Sequence, residues 1–198
     1  MSSEPHQTHR RVPPEERLNI FALVIYIPDP LGRFLDDLRR ELVPHDNPHA
    51  HVSVLPPRPL AVEWQRASEQ VRALAGGWQP FEVELAAIDI FPVTNVIYIG
   101  LGAGEGELRR MHAAINTDIL AFDEPFLYHP HVTLAQGIPH DKVGDVHELA
   151  VRRWREFTGE RRFSAEHAVF VQSTLSQCWL DLAGYPFGAH PDGNPVKT

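Results

Sequence analysis

Two short stretches of this chain carry residue types that can move protons. HAHVSVL runs from His49 to Leu55, and HPHVTLA runs from His129 to Ala135. Superposed, they place His49 over His129, His51 over His131, Val52 over Val132 and Ser53 over Thr133. In an extended strand, residues i, i+2 and i+4 share a face. Each stretch would therefore present two imidazoles and a hydroxyl on one side and aliphatic groups on the other. A single histidine, apolar, Ser or Thr, apolar pattern means little. Two of them at equivalent places in one chain arise by chance in roughly one such sequence in a hundred.

Imidazole titrates near neutrality, so one ring can be neutral while another is protonated. With His51 and His131 on opposite sides of a phosphorus atom, the neutral ring can take a proton from attacking water and the protonated ring can give one to the leaving oxygen. Each transfer contributes about 10²–10⁴ in rate. The Ser53 and Thr133 hydroxyls, two residues along the same faces, can donate to nonbridging phosphate oxygens and stabilise the charge of the transition state. No metal is needed in that scheme. The competing chemistry is a metal-dependent enzyme or metal-binding protein in which HAH and HPH each give two imidazoles to a transition metal, although no carboxylate closely follows either pair. His49 and His129 stand just ahead of the strands and are optional members of the first scheme. Arg58, in LPPRPL, is a candidate phosphate contact at the mouth of the site. Tyr128, beside Phe126, is a candidate for stacking on a base.

Such faces require strands with helices behind them. LNIFALVIYI reads as a buried strand over 18–27, and the spacing of Leu31, Phe34, Leu35, Leu38 and Leu42 predicts a helix over 31–42. The first histidine strand covers 50–55 and is closed by PPRP. A helix over 60–75 ends at Gly76 and Gly77, and FEVEL opens a strand that NVIYIGL partners. The second half repeats the order: a helix over 105–121, a strand over 131–137, a helix over 142–157, RRFSAEHAVFVQ as one strand, and QCWLDL as its partner. The chain therefore reads as β followed by two αβαββ units, offset by roughly 80 residues. This predicts an α+β protein, a bilobal pseudo-twofold repeat with an antiparallel sheet in each lobe. The lobes form one domain over residues 17–190, with a disordered N-terminal segment at 1–16 and a flexible tail at 191–198.

Composition narrows the function. Apolar residues make up 43% of the 198, which speaks against global disorder. The longest apolar run, Ile20 to Ile27, is too short to span a bilayer, and the opening MSSEPHQTHRRVPPEER lacks the apolar core of a signal peptide. The single cysteine, Cys178, reads as a core residue of a late strand and leaves no internal disulfide framework. Together these point to a cytoplasmic protein. The net charge of −8 argues against coating extended nucleic acid. Arginines dominate the basic residues, and runs such as RRWRE read as solvated helix faces. The balance favours a small or terminal phosphate as partner.

HVSV at 51–54 and HVTL at 131–134 resemble the paired signatures of the 2H phosphoesterase superfamily, which includes the 2′-5′ RNA ligase-like proteins and the cyclic nucleotide phosphodiesterases. YHPHVTLAQG, 128–137, is especially similar to the family's second motif. The repeated units carry the resemblance over most of residues 18–183. It implies two antiparallel sheets flanking a central cleft in which the motifs face each other. His51 and His131 would be general acid and base, Ser53 and Thr133 would be phosphate ligands, and no metal or other cofactor would be required. The implied partner is a nucleotide cyclic phosphate or an RNA terminus, with no membrane involved. Several members follow the second motif with a basic residue; here Gln136 stands in that place. The sequence leaves open which histidine is the acid, whether hydrolysis or ligation is favoured, and the oligomeric state.

Overall fold

The computed structural model describes residues 12–44, 49–176 and 178–188. Of the segment 1–16 expected to be disordered, residues 1–11 lie outside the described residues and Pro14–Glu16 form a 3₁₀ turn; the tail expected to be flexible at 191–198 lies outside them too.

Local pattern sets each element. β1 (Arg17–Tyr26) alternates Phe21, Leu23 and Ile25 toward the main core with Ala22, Val24 and Tyr26 on the other face. α1 (Leu31–Leu42) buries Leu31, Leu35, Leu38 and Leu42 along one stripe; replacing Leu38 by Ala costs about 2–5 kcal/mol. β2 (His51–Arg58) runs through Pro56 and Pro57 rather than stopping before them. It lies at the edge of its sheet, where a missing N–H is tolerated. α2 is Trp64–Ala75, starting four residues later than the pattern predicted. β3 (Phe81–Ile90) and β4 (Ile97–Leu101) form the antiparallel pair. The turn from β4 into α3 (Glu105–Ile115) passes through Gly104 at φ +87°, where a side chain would press on the Glu82 carbonyl and the Val83 side chain.

α3 ends at Ile115, not at residue 121, and a short 3₁₀ turn follows at Asp118–Leu120. The Asn116 carboxamide supplies the reason. Its oxygen accepts from Arg58 and from the Phe122 N–H (2.6 and 2.9 Å), which folds the chain away from the helix axis. β5 (Val132–Ala135) is shorter than expected because Gly137, at φ +67°, turns the chain out of the strand. α4 is Val143–Glu156.

RRFSAEHAVFVQ is not one strand. It divides into β6 (Arg162–Ala165) and β7 (His167–Thr174), which belong to different sheets, and β8 (Trp179–Pro186) pairs with β7. Cys178 lies just ahead of β8 and is only partly buried.

The result is α+β with two four-stranded antiparallel sheets, ordered β2-β1-β7-β8 and β5-β4-β3-β6. The sheets are not the repeat units. Each takes strands from both halves of the chain, and the helices cross over too: α1 packs against β5, and α3 packs against β2. β1 and β4 hold the same place beside the two histidine strands. One apolar cluster, from Leu23 on β1 to Leu134 on β5 and Phe170 on β7, runs through both sheets. The exchange locks the two histidine strands into one core.

Candidate active site

The first motif is held from three sides. Val52 and Val54 are fully buried, which fixes the face presented by β2. In register, Tyr26 of β1 lies opposite His51 and Val24 opposite Ser53. Asp36 of α1 accepts the Ala50 N–H at 2.7 Å, and the Ile27 N–H donates to the Ala50 carbonyl at 3.0 Å, so the entry into β2 is clamped. The His51 Nδ1–H donates to the His49 carbonyl at 2.7 Å. That bond selects the tautomer and leaves Nε2 as the nitrogen available for proton transfer.

The second motif repeats the device. Val132 and Leu134 are fully buried, Tyr98 of β4 lies opposite Thr133, and the His131 Nδ1–H donates to the His129 carbonyl at 2.6 Å. In each HxH pair the first residue therefore serves the second through its main-chain oxygen. Its own ring goes elsewhere. His49 is exposed and stacked on Tyr26 with ring centroids 3.7 Å apart. His129 and His131 both meet the stacked Phe91 and Tyr98 rings edge-on.

Burial pushes the His51 imidazole down to about 4. Its bond to the His49 carbonyl opposes that shift, while the charges of Arg39, His49 and His131 add to it. Burial also lowers His131, again against its carbonyl bond and with a smaller push from His129. Both shifts favour the neutral rings, which can accept a proton, and an arriving anion favours protonation of one of them.

A cleft of about 560 Å³ opens between the motifs, and His51, Ser53, His131 and Thr133 all line it. The structure thus brings together the four residues on which the sequence argument rested. Tyr128 also lines the cleft. Its ring stacks on His112 at 3.9 Å and its hydroxyl donates to the Ser53 carbonyl at 2.7 Å, tying the loop before β5 to the first motif. Gln136 reaches the rim. Arg58 does not take the place expected for it. Its side chain is 2% exposed, ion-paired with Glu124, and donates to the Asn116 carboxamide and the Leu120 and Pro56 carbonyls. Every guanidinium nitrogen is used inside the protein, so Arg58 holds the 116–124 segment rather than a phosphate.

Sequence reasoning missed Arg39. It stands on α1 four residues after Leu35 and one after Leu38, so it shares the buried stripe; it is 7% exposed and lines the cleft. The available signal was an arginine at helical spacing among leucines. Phe91, Phe122 and Trp179 also line the cleft. As for metal ligation, both Nδ1 atoms are committed to carbonyls, and among the described residues no group of three His, Cys, Asp or Glu side chains is placed to hold an ion.

The family model described as the 2′-5′ RNA ligase superfamily matches residues 27–177. Two candidate phosphoesterases, from Geobacillus kaustophilus and Halalkalibacterium halodurans, are 22% and 26% identical over 136 and 104 residues. These matches cover 64% and 48% of this chain and 75% and 60% of those proteins. Among solved structures, E. coli LigT complexed with 3′-AMP superposes with a TM-score of 0.58 at 13% identity, covering 87% of this chain and 98% of LigT. Kluyveromyces marxianus Usb1 with uridine monophosphate gives 0.52 at 14%, covering 85% and 98%. Among the described residues, no helix is long and apolar enough to cross a membrane.

Proposed function

This chain belongs to the 2′-5′ RNA ligase superfamily of 2H phosphoesterases, and from that premise we propose that it is a metal-independent phosphodiesterase using His51 and His131 as its general base and acid. The observation that carries the reading is the matched pair of Nδ1–H bonds to the carbonyls two residues earlier, which free Nε2 on both rings beside one cleft. With a 2′,3′-cyclic phosphate bound, one imidazole takes a proton from water as the water oxygen bonds to phosphorus. The P–O bond to one ribose oxygen breaks, and the other imidazole, protonated, gives that oxygen its proton. The product is an acyclic phosphomonoester, and the two rings have exchanged roles. Ser53 and Thr133 donate to the nonbridging oxygens, where charge builds. With the 5′-hydroxyl of a second RNA attacking phosphorus in place of water, the same proton transfers break the P–O3′ bond, protonate O3′ and join a 2′-5′ linkage.

The substrate is a nucleotide cyclic phosphate or the terminus of an RNA. A nucleotide ligand is supported by LigT with 3′-AMP and Usb1 with uridine monophosphate. A cytoplasmic location is supported by the single cysteine. The test is turnover of a panel of nucleoside 2′,3′-cyclic phosphates, ADP-ribose cyclic phosphate and 2′-5′-linked oligonucleotides, with and without EDTA. Hydrolysis of at least one of them unaffected by EDTA is expected. No turnover across the panel, or turnover only with added metal, would reject the proposal.

A further inference from the structure

A phosphodiester entering this cleft brings a full negative charge into a partly apolar space, and a buried charge needs a partner of opposite sign. The two imidazoles supply none while neutral. Glu124, the carboxylate in the described lining, is occupied by Arg58 and by His112 Nε2 at 2.9 Å. Among the described residues lining the cleft, only one is a lysine or arginine, and that is Arg39. We propose that Arg39 is the cation that receives the phosphoryl group, a binding residue delivered by α1 rather than by either histidine strand. The inference rests on the phosphodiesterase reading and adds to it the group that binds the anion.

Three observations support this role. First, α1 crosses from its own sheet to pack on β5, which carries Arg39 to the seam between the motifs. Second, its charge is felt at His51, and it also acts on Asp36, the carboxylate that clamps the start of β2. Third, the place is buried yet open to the cleft: Leu35, Leu38 and Leu42 flank Arg39 on the stripe, and the side chain lines the cleft. A guanidinium always carries its charge, and its fork matches two phosphate oxygens. The equivalent place on α3 shows that the frame does not require a cation. The stripe Leu35, Leu38, Leu42 has the same spacing as Leu108, Met111, Ile115, which sets His112 opposite Arg39. His112 is covered by the Tyr128 ring and bonded to Glu124.

The experiment is a titration of inorganic phosphate, followed by calorimetry or by NMR of the histidine rings, on the wild type, R39K and R39M, together with turnover of a 2′,3′-cyclic nucleotide. Wild type should bind phosphate. R39M should bind it at least about tenfold more weakly, with R39K in between. The acid limb of kcat/KM should move to higher pH in R39M, because a positive charge beside His51 is gone, and should stay in place in R39K. A merely structural arginine would leave phosphate affinity unmoved, even though the limb still shifts with the loss of its charge near His51. Should R39M fail to fold, R39K decides: a loss of at least severalfold in phosphate affinity with an unmoved limb supports the role, and wild-type affinity overturns it. Equal affinity in R39M and wild type, or no phosphate binding by wild type, also overturns it. Phosphate binding that depends on Arg39 without turnover would sink the phosphodiesterase reading and keep the anion site. Turnover indifferent to R39M would do the reverse.

Discussion

The two histidine motifs are built alike and surrounded differently. Both sit on edge strands, β2 and β5, with two aliphatic residues buried beneath and the imidazole Nδ1 donating to the carbonyl two residues back. Around His51 the neighbours are polar or charged: Arg39, the Asp36 clamp, and Tyr26, whose hydroxyl donates to Asp181 at 2.6 Å. Around His131 they are aromatic: Phe91 and Tyr98 against the ring, with Phe126 and Leu127 largely exposed at the rim. Duplicated backbone thus supplies two imidazoles held alike, while the side chains around them differ. On the proposed function, the first half would face the charge of a phosphate. The second offers surfaces suited to the flat organic group attached to it.

That comparison can be tested where the halves are equal and where they differ. The largest effects belong to the imidazoles. H51A and H131A should each lower kcat by about 10²–10⁴ with the fold retained, as steady-state assays and circular dichroism would show. A large loss on one side only would end the equivalence of the two cradles. Removing the hydroxyls comes next. S53A and T133A should each cost about 10–100-fold in kcat/KM, while S53T and T133S should stay close to wild type. An effect confined to one hydroxyl would mean that only one strand touches the phosphate.

R58A tests the residue that the sequence placed wrongly. It leaves the partly buried Glu124 without its arginine and empties a buried site, so denaturant unfolding should show a loss of about 3 kcal/mol. Turnover per folded molecule should fall far less than in H51A; a collapse of activity at unchanged stability would restore Arg58 to the site.

The smallest effect expected is in the pH profile. Burial lowers both imidazoles, and the mechanism needs one ring neutral and one protonated, so the kcat/KM bell should be displaced to the acid side of pH 6.5. A bell centred above pH 7.5 would contradict the burial argument. Stability follows the same groups. The unfolded chain binds more protons than the folded one below pH 6.5, so the stability present above that pH should decline as pH falls toward about 4.

The alternation of His51, Ser53, His131 and Thr133 against buried aliphatic residues was legible in sequence, because a strand's period is local. So were α1 and the antiparallel pairs. Three features were not. The break at Glu166 carries no Gly or Pro to mark a turn; the two sheets' competing demands reveal it. The burial of Arg58 depends on Glu124, 66 residues away in the chain. Arg39 drew no notice in the sequence, and its setting comes from α1 crossing to the other sheet. Each of these is a long-range fact without a local signature.

The central claim is that the two imidazoles act as one unit on one phosphorus atom. The direct measurement is kcat on a 2′,3′-cyclic nucleotide for H51A, H131A and the double variant, all in EDTA. If the rings are base and acid of a single step, the double variant should be about as slow as the slower single variant, because removing either partner already stops the concerted transfer. Losses that multiply in the double variant, or single variants that keep wild-type turnover, would contradict it.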